Sequence, residues 1–225
     1  MFNFKQVFNF ALFFKKLDKK EIILTAAMKL FGQKGFEGTS VREIAAAADV
    51  NIAMINYYFG SKEKLFQSLV EYKASFLKGV FAELVENTSI TQIEKVYIVI
   101  DSYIEKMFVS QQFHRLLHRE LSLERRPEMK NAISEILLRN FVSVRKIIQD
   151  GIDSGEFKPV DAELTIASIL GTINHLLSSE TMCRKILQKG KDFNPFQSKK
   201  LKERISEHLK QLIRSHLLNK TTQKK

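Results

Sequence analysis

Between Thr39 and Lys64 the chain reads TSVREIAAAADVNIAMINYYFGSKEK, and most of the side chains with recognition chemistry are gathered there. A helix-turn-helix needs a sharp turn between two helices and a second helix whose outer face is free to enter the major groove. This segment meets both conditions. Ala45, Ala46, Ala47 and Ala48 are small enough for two helices to cross closely, and Val50 and Ile55 point between them. Ile52, Ala53 and Asn56 are left on the outer face, and Asn51, at the end of the Asp49-Val50-Asn51 turn, joins the DNA-binding candidates. An amide at position 56 suits adenine, the apolar neighbours suit thymine methyls, and Arg42 suits guanine or a phosphate.

Other chemistry is thinly represented. No Ser/His/Asp set or glycine-rich phosphate loop occurs, and Glu120, Glu124 and Glu128 at four-residue spacing read as one solvated helix face, so no enzyme is expected. His114 and His118 have a metal-compatible i, i+4 spacing. Arg115 and Arg119 flank them and no further Cys or His cluster completes a set, so neither metal nor cofactor is expected. The single cysteine, Cys183, excludes an internal disulfide framework and reads as inert.

Helices must position these groups. The 225 residues include only three prolines and nine glycines, and 44% are hydrophobic, which predicts an all-α chain. Asp18 is placed to cap a first helix with Ile22, Ile23, Ala26, Ala27, Leu30 and Phe31 inward, and Gly35 ends it. Thr39 or Ser40 caps a second helix with Val41, Ile44, Ala45 and Ala48 inward. A third runs from Ile52 to Phe59 and stops at Gly60, and Ser61 caps a fourth. Longer amphipathic segments follow near 61–86, 91–109, 111–125, 128–154, 161–178 and 199–218, with a loop at 188–198. No apolar run approaches the roughly 18 residues that span a bilayer, so no membrane partner is expected.

The net charge of +11 suits a polyanionic partner. Its distribution is uneven: residues 1–70 hold ten Lys/Arg against six Asp/Glu, and residues 181–225 hold thirteen against three. The basic tail reads as a solvated helix face with a frayed end. The organisation expected is a Phe-rich extension at 1–17, a DNA-binding domain at 18–66, a helical domain at 67–218 and a tail at 219–225.

The stretches AAMKLFGQKGFEGTSVREIAAAADV and INYYFGSKEKLF, in that order between Ile22 and Leu69, resemble the DNA-binding domain of the TetR family of bacterial regulators. The resemblance implies an N-terminal three-helix helix-turn-helix domain followed by a larger helical domain for effector binding and dimerisation. It places Lys62 against a backbone phosphate at a helix N-terminus, a sound place for an anion. It gives Tyr57 and Tyr58 phosphate contacts, puts Thr39 and Ser40 within reach of the backbone, and makes Ile52, Ala53 and Asn56 the base readers. Asn56 departs from the family's frequent tyrosine, and Asp49 replaces a common glycine in the turn, where Asp tolerates left-handed geometry.

For the second domain the resemblance implies a small-molecule pocket and a four-helix dimer seam. Tyr97, Tyr103, Met107, Phe108, His114, His118 and Asn174 are the pocket candidates. Leu164, Ser168, Gly171 and His175 on one helix, and Leu201, Ile205, Leu209, Leu212 and Ile213 on the last, are the seam candidates. The expected function is a homodimeric repressor that binds a palindromic double-stranded operator in the cytoplasm, at the nucleoid, and is released by an unknown small-molecule effector. The alternative is a constitutive DNA-binding dimer that recruits a protein partner. An open apolar cavity favours the first reading and a closed core the second.

Overall fold

A computed structural model describes residues 18–123 and 125–219. The Phe-rich segment 1–17 and the tail from 220 onward lie outside the described residues. Among those described there are helices and no strands: α1 (Lys19–Lys34), α2 (Val41–Ala47), α3 (Ile52–Phe59), α4 (Lys62–Glu86), α5 (Gln92–Val109), α6 (Gln111–Ser122), α7 (Pro127–Asp153), α8 (Ala162–Leu177), α9 (Glu180–Ile186) and α10 (Lys199–Leu217). The all-α reading holds. Helix α9 and a single 3-10 turn at Pro195–Gln197 were not anticipated. The chain divides into two compact units, and the boundary falls inside α4 between Leu69 and Val70.

The first unit is organised by three rings. Phe31 stacks on Phe36 at 5.4 Å, and Phe66 meets both edge-on at 5.5 Å. All three are buried, so this small unit gathers much of its apolar area in one cluster. The inward face of α1 is Ile23, Leu24, Ala27 and Phe31. Ile22, expected inward, is exposed, because the stripe turns one residue further along the helix. Asp18 occupies the N-cap position of α1 without a side-chain capping bond. Ser40 closes a capping box on α2: its Oγ accepts from Glu43 N, while the Glu43 carboxylate accepts from Ser40 N at 2.8 Å. Between α2 and α3, Asp49 adopts φ 51°, the left-handed conformation that the sequence asked of it.

The second unit is built around α5, which packs against α7, α8 and α10. Val96, Ile100 and Ile104 of α5 share a core with Phe81, Ile147, Ile169 and Leu209. Thr91 and Glu94 form a second capping box at the start of α5, and Glu156 adds its carboxylate to the N–H groups of Gln92 and Ile93. The turn after α7 folds Phe157 onto Gly151, where a Cβ would lie 2.2 Å from the ring. Glu120 is not solvated as its spacing implied: it is 4% exposed and paired with Arg126 at 3.1 Å. Glu128 is exposed, and Glu124 lies outside the described residues.

Candidate functional site

Helix α3 owes its exposed face to its two ends. Asn51 Oδ1 accepts from Ala53 N at 2.9 Å and starts the helix, and Gly60 at φ 78° stops it after Phe59. Ile55 and Phe59 face the core, so Ile52, Ala53, Asn56 and Tyr57 are turned outward together. Tyr57 is 84% exposed, an unusual setting for a large aromatic, and its ring meets Tyr58 edge-on at 5.3 Å. Tyr58 is half-buried, and Arg42 on α2 is exposed. An amide, a guanidinium, a phenol and small apolar groups on one short helical surface can read base edges and hold phosphates.

Four of the expected contacts have other commitments. Thr39 is 1% exposed and its hydroxyl donates to Gly35 O at 2.8 Å, which corrects its reading as a phosphate ligand. Burial leaves that group no route to a backbone phosphate. The Ser40 hydroxyl is engaged in the capping box. The Asn51 oxygen is engaged at the start of α3, and only its amide N–H groups remain. Lys62 Nζ donates to Phe36 O at 3.0 Å and Thr39 O at 3.1 Å and lies 4.5 Å from the Phe36 ring centre. The ammonium thus ties down the loop between α1 and α2, with one of its three N–H donors left over. Nothing in local spacing announces this contact, because the carbonyls lie more than twenty residues away.

The second unit holds a cavity of about 160 Å³. Tyr103, Met107, His114, His118 and Asn174, five of the seven pocket candidates, line it. Two of the pocket candidates do not. Tyr97 is half-buried beside Lys210 of α10, 5.8 Å from its ammonium, and Phe108 packs on the Phe196 ring at 5.8 Å. Both lie on faces of α5 that neighbouring elements cover. The cavity wall also includes Phe113, Leu117, Phe141, Ile173 and, unanticipated, Lys106 and Asn140.

Lys106 is held down to about 8 by burial and by the charge of Lys73. His114 is held down to about 3 by burial first, then by Lys106 and Lys73. Burial pushes Tyr103 up to about 12. Asn140 donates to Ala74 O at 3.4 Å, and its Oδ1 is buried without a partner, as is His114 Nε2. Among the described residues no third His, Cys, Asp or Glu joins His114 and His118 in a metal-sized group.

The seam candidates divide sharply. Leu164, Ser168, Gly171 and His175 are exposed along α8, and Leu164 is 65% exposed. On α10, Leu212 is exposed, but Leu201, Ile205, Leu209 and Ile213 are buried in the core of their own chain. Their assignment to a dimer seam is therefore corrected: the partner their apolar face needs is α5 and α8 of the same protomer. Asn174 sides with the cavity and His175 with the exposed face.

Comparison with known proteins bears on both units. Residues 23–69 match the family model of the bacterial regulatory proteins of the tetR family, and residues 89–178 match the tetracyclin repressor-like C-terminal domain. The Bacillus subtilis "Probable HTH-type transcriptional regulator YttP" is 35% identical over 147 residues, 63% of this chain and 66% of that protein. The HTH-type transcriptional repressor NicS of Pseudomonas putida is 31% identical over 175 residues, 71% of this chain and 79% of that protein. Among solved structures, the transcriptional regulator FadR from Bacillus subtilis in complex with stearoyl-CoA superposes with a TM-score of 0.68 at 25% identity, covering 84% of this chain and 96% of that one.

Proposed function

The chain belongs to the TetR family of bacterial regulatory proteins, and from that premise we propose that it is a ligand-responsive repressor, holding a palindromic operator as a homodimer until an effector fills the cavity of its second unit. Helix α3 enters the major groove. Ile52, Ala53 and Asn56 meet base edges, Tyr57, Tyr58 and Arg42 hold phosphates, and Lys62 adds its remaining donor while it fixes the loop. The exposed stripe of α8, with Leu212 of α10, forms the seam between protomers. The protein acts in the cytoplasm on chromosomal DNA, and no catalytic step is assigned to it.

The observation that carries the effector half of this reading is the cavity itself. A packed core would favour a constitutive DNA-binding dimer; an opening of about 160 Å³ walled by apolar and aromatic side chains favours a small molecule. That FadR from Bacillus subtilis was solved with stearoyl-CoA supports an effector with an apolar chain. An effector releases DNA only by preferring the dimer geometry that does not fit two half-sites.

The docking is tested by operator titration, with duplexes selected from random sequence by the purified protein. Asn56→Ala is expected to weaken binding by about 1–3 kcal/mol and to relax preference at one base position. Lys62→Ala is expected to weaken binding at every sequence and to lower the salt slope of log affinity by about one. Unchanged affinity in both variants would overturn the docking.

A further inference from the structure

The cavity is apolar over most of its wall, yet titratable nitrogen-bearing side chains of two helices line it and the charge of a lysine on a third reaches them. Lys106 of α5 and His114 of α6 line it, and Lys73, one turn beyond the lining residue Val70 on α4, acts electrostatically on both. Among the described residues no carboxylate lines the cavity, and neither lysine has an ion-pair partner there. The acids nearest in sequence are engaged elsewhere: Glu71 pairs with Arg139, and Glu105 with Lys202. His114 Nε2 is buried with no hydrogen-bond partner.

A largely buried cation without a counter-charge is costly, and folding alone gives no reason to set Lys106 beside His114 in the wall of an oily pocket. We propose that the counter-charge is supplied by the effector: the cavity takes an organic anion, with its anionic head group held by Lys106 and His114 and its apolar body against Met107, Phe113 and Phe141. This deepens the effector-binding reading above and rests on it. The physical signature is consistent: burial and the charge of Lys73 hold Lys106 below its ordinary value, and burial with the charges of Lys106 and Lys73 holds His114 below its own, a state that an arriving anion relieves. A cavity of this size, about 160 Å³, accepts an apolar body of roughly six carbons, comparable to the benzene-sized cavities known in protein cores.

The test uses hexanoate, hexyl phosphate and uncharged 1-hexanol, titrated against the full-length protein without DNA by ligand-observed NMR. Hexanoate or hexyl phosphate is expected to bind at least about tenfold tighter than hexanol, a difference of about 1.4 kcal/mol, and the tighter of the two identifies the head group. Lys106→Met is expected to erase that preference by weakening the anions far more than hexanol, and Lys106→Arg to restore it. Thermal melting guards against a folding artefact: Lys106→Met removes an unpaired buried charge and is expected to raise Tm in the absence of ligand. Equal binding of hexanol and both anions, or a preference that survives in Lys106→Met, overturns the proposal. Operator release is measured separately. Anion binding without release leaves the anion site standing and overturns effector-driven repression, whereas release by hexanol as readily as by the anions does the reverse.

Discussion

At the scale of single residues, His114 records the cost of its surroundings in a form that can be titrated. An unfolded histidine takes up a proton as pH falls through about 6.5, whereas the folded imidazole, held near 3 by burial and by Lys106 and Lys73, stays neutral through that range. Below about 6.5 the unfolded chain therefore binds more protons than the folded one. The stability is full above that pH and declines as pH drops toward 3. The limiting slope for one group is about 1.4 kcal/mol per pH unit. Lys106, held near 8, completes its own titration above this window, and carboxylates enter it only toward the acid end. His114→Leu is expected to flatten the decline between about pH 6.5 and 5 in urea denaturation. A decline as steep as in the parent protein would show that another group carries it. The conjunction of His114 with Lys106 and Lys73 was invisible in the sequence, because the three residues sit on three helices and only packing brings their charges together. The outward residues of α3 were legible, since a short helix with Ile55 and Phe59 inward has its other face fixed by the helical period.

At the scale of elements, the turn that closes α7 depends on a contact no periodicity reveals. Phe157 is 3% exposed, donates its N–H to Gly151 O at 2.8 Å and lays its ring where a side chain at 151 would stand. Gly151→Ala is expected to destabilise by about 1–3 kcal/mol through overpacking, read as a lower urea midpoint at unchanged slope. Phe157→Leu in the same background is expected to recover part of the loss, since the two positions are coupled by contact. If the double variant loses the full sum of the single effects, the steric account is wrong. Helix positions and caps were largely readable, because cap residues, prolines and apolar spacing are local signals, and Ser40 with Glu43 carries the S-x-x-E pattern of a capping box outright. What α10 packs against was not readable. An amphipathic helix announces that one face needs cover, but the same pattern serves a neighbour in the chain and a second copy equally well. Leu201, Ile205, Leu209 and Ile213 went to the chain's own core, and only Leu212 stayed outside.

At the scale of the whole molecule, that division bears on the proposed dimer. With most of the apolar face of α10 committed internally, the seam candidates still exposed are Leu164, Ser168, Gly171 and His175 of α8 together with Leu212. Gly171 has open space where its side chain would be, so a partner helix could approach the α8 backbone closely there. Operator recognition by two recognition helices needs them about 34 Å apart, one turn of the duplex, and a lone protomer reaches only one half-site. Losing the second half-site removes the gain from linking two binding events, about 10²- to 10⁴-fold. The double variant Leu164→Glu, Leu212→Glu places like charges on the proposed seam without touching the core, so helicity and melting are expected to stay near those of the parent protein. Sedimentation should then report a monomer, and operator affinity should fall by about 100-fold or more while affinity for an isolated half-site is retained. A dimer that survives both substitutions would move the seam off α8 and α10. A monomer that still binds the full operator as tightly as the parent would separate dimerisation from recognition.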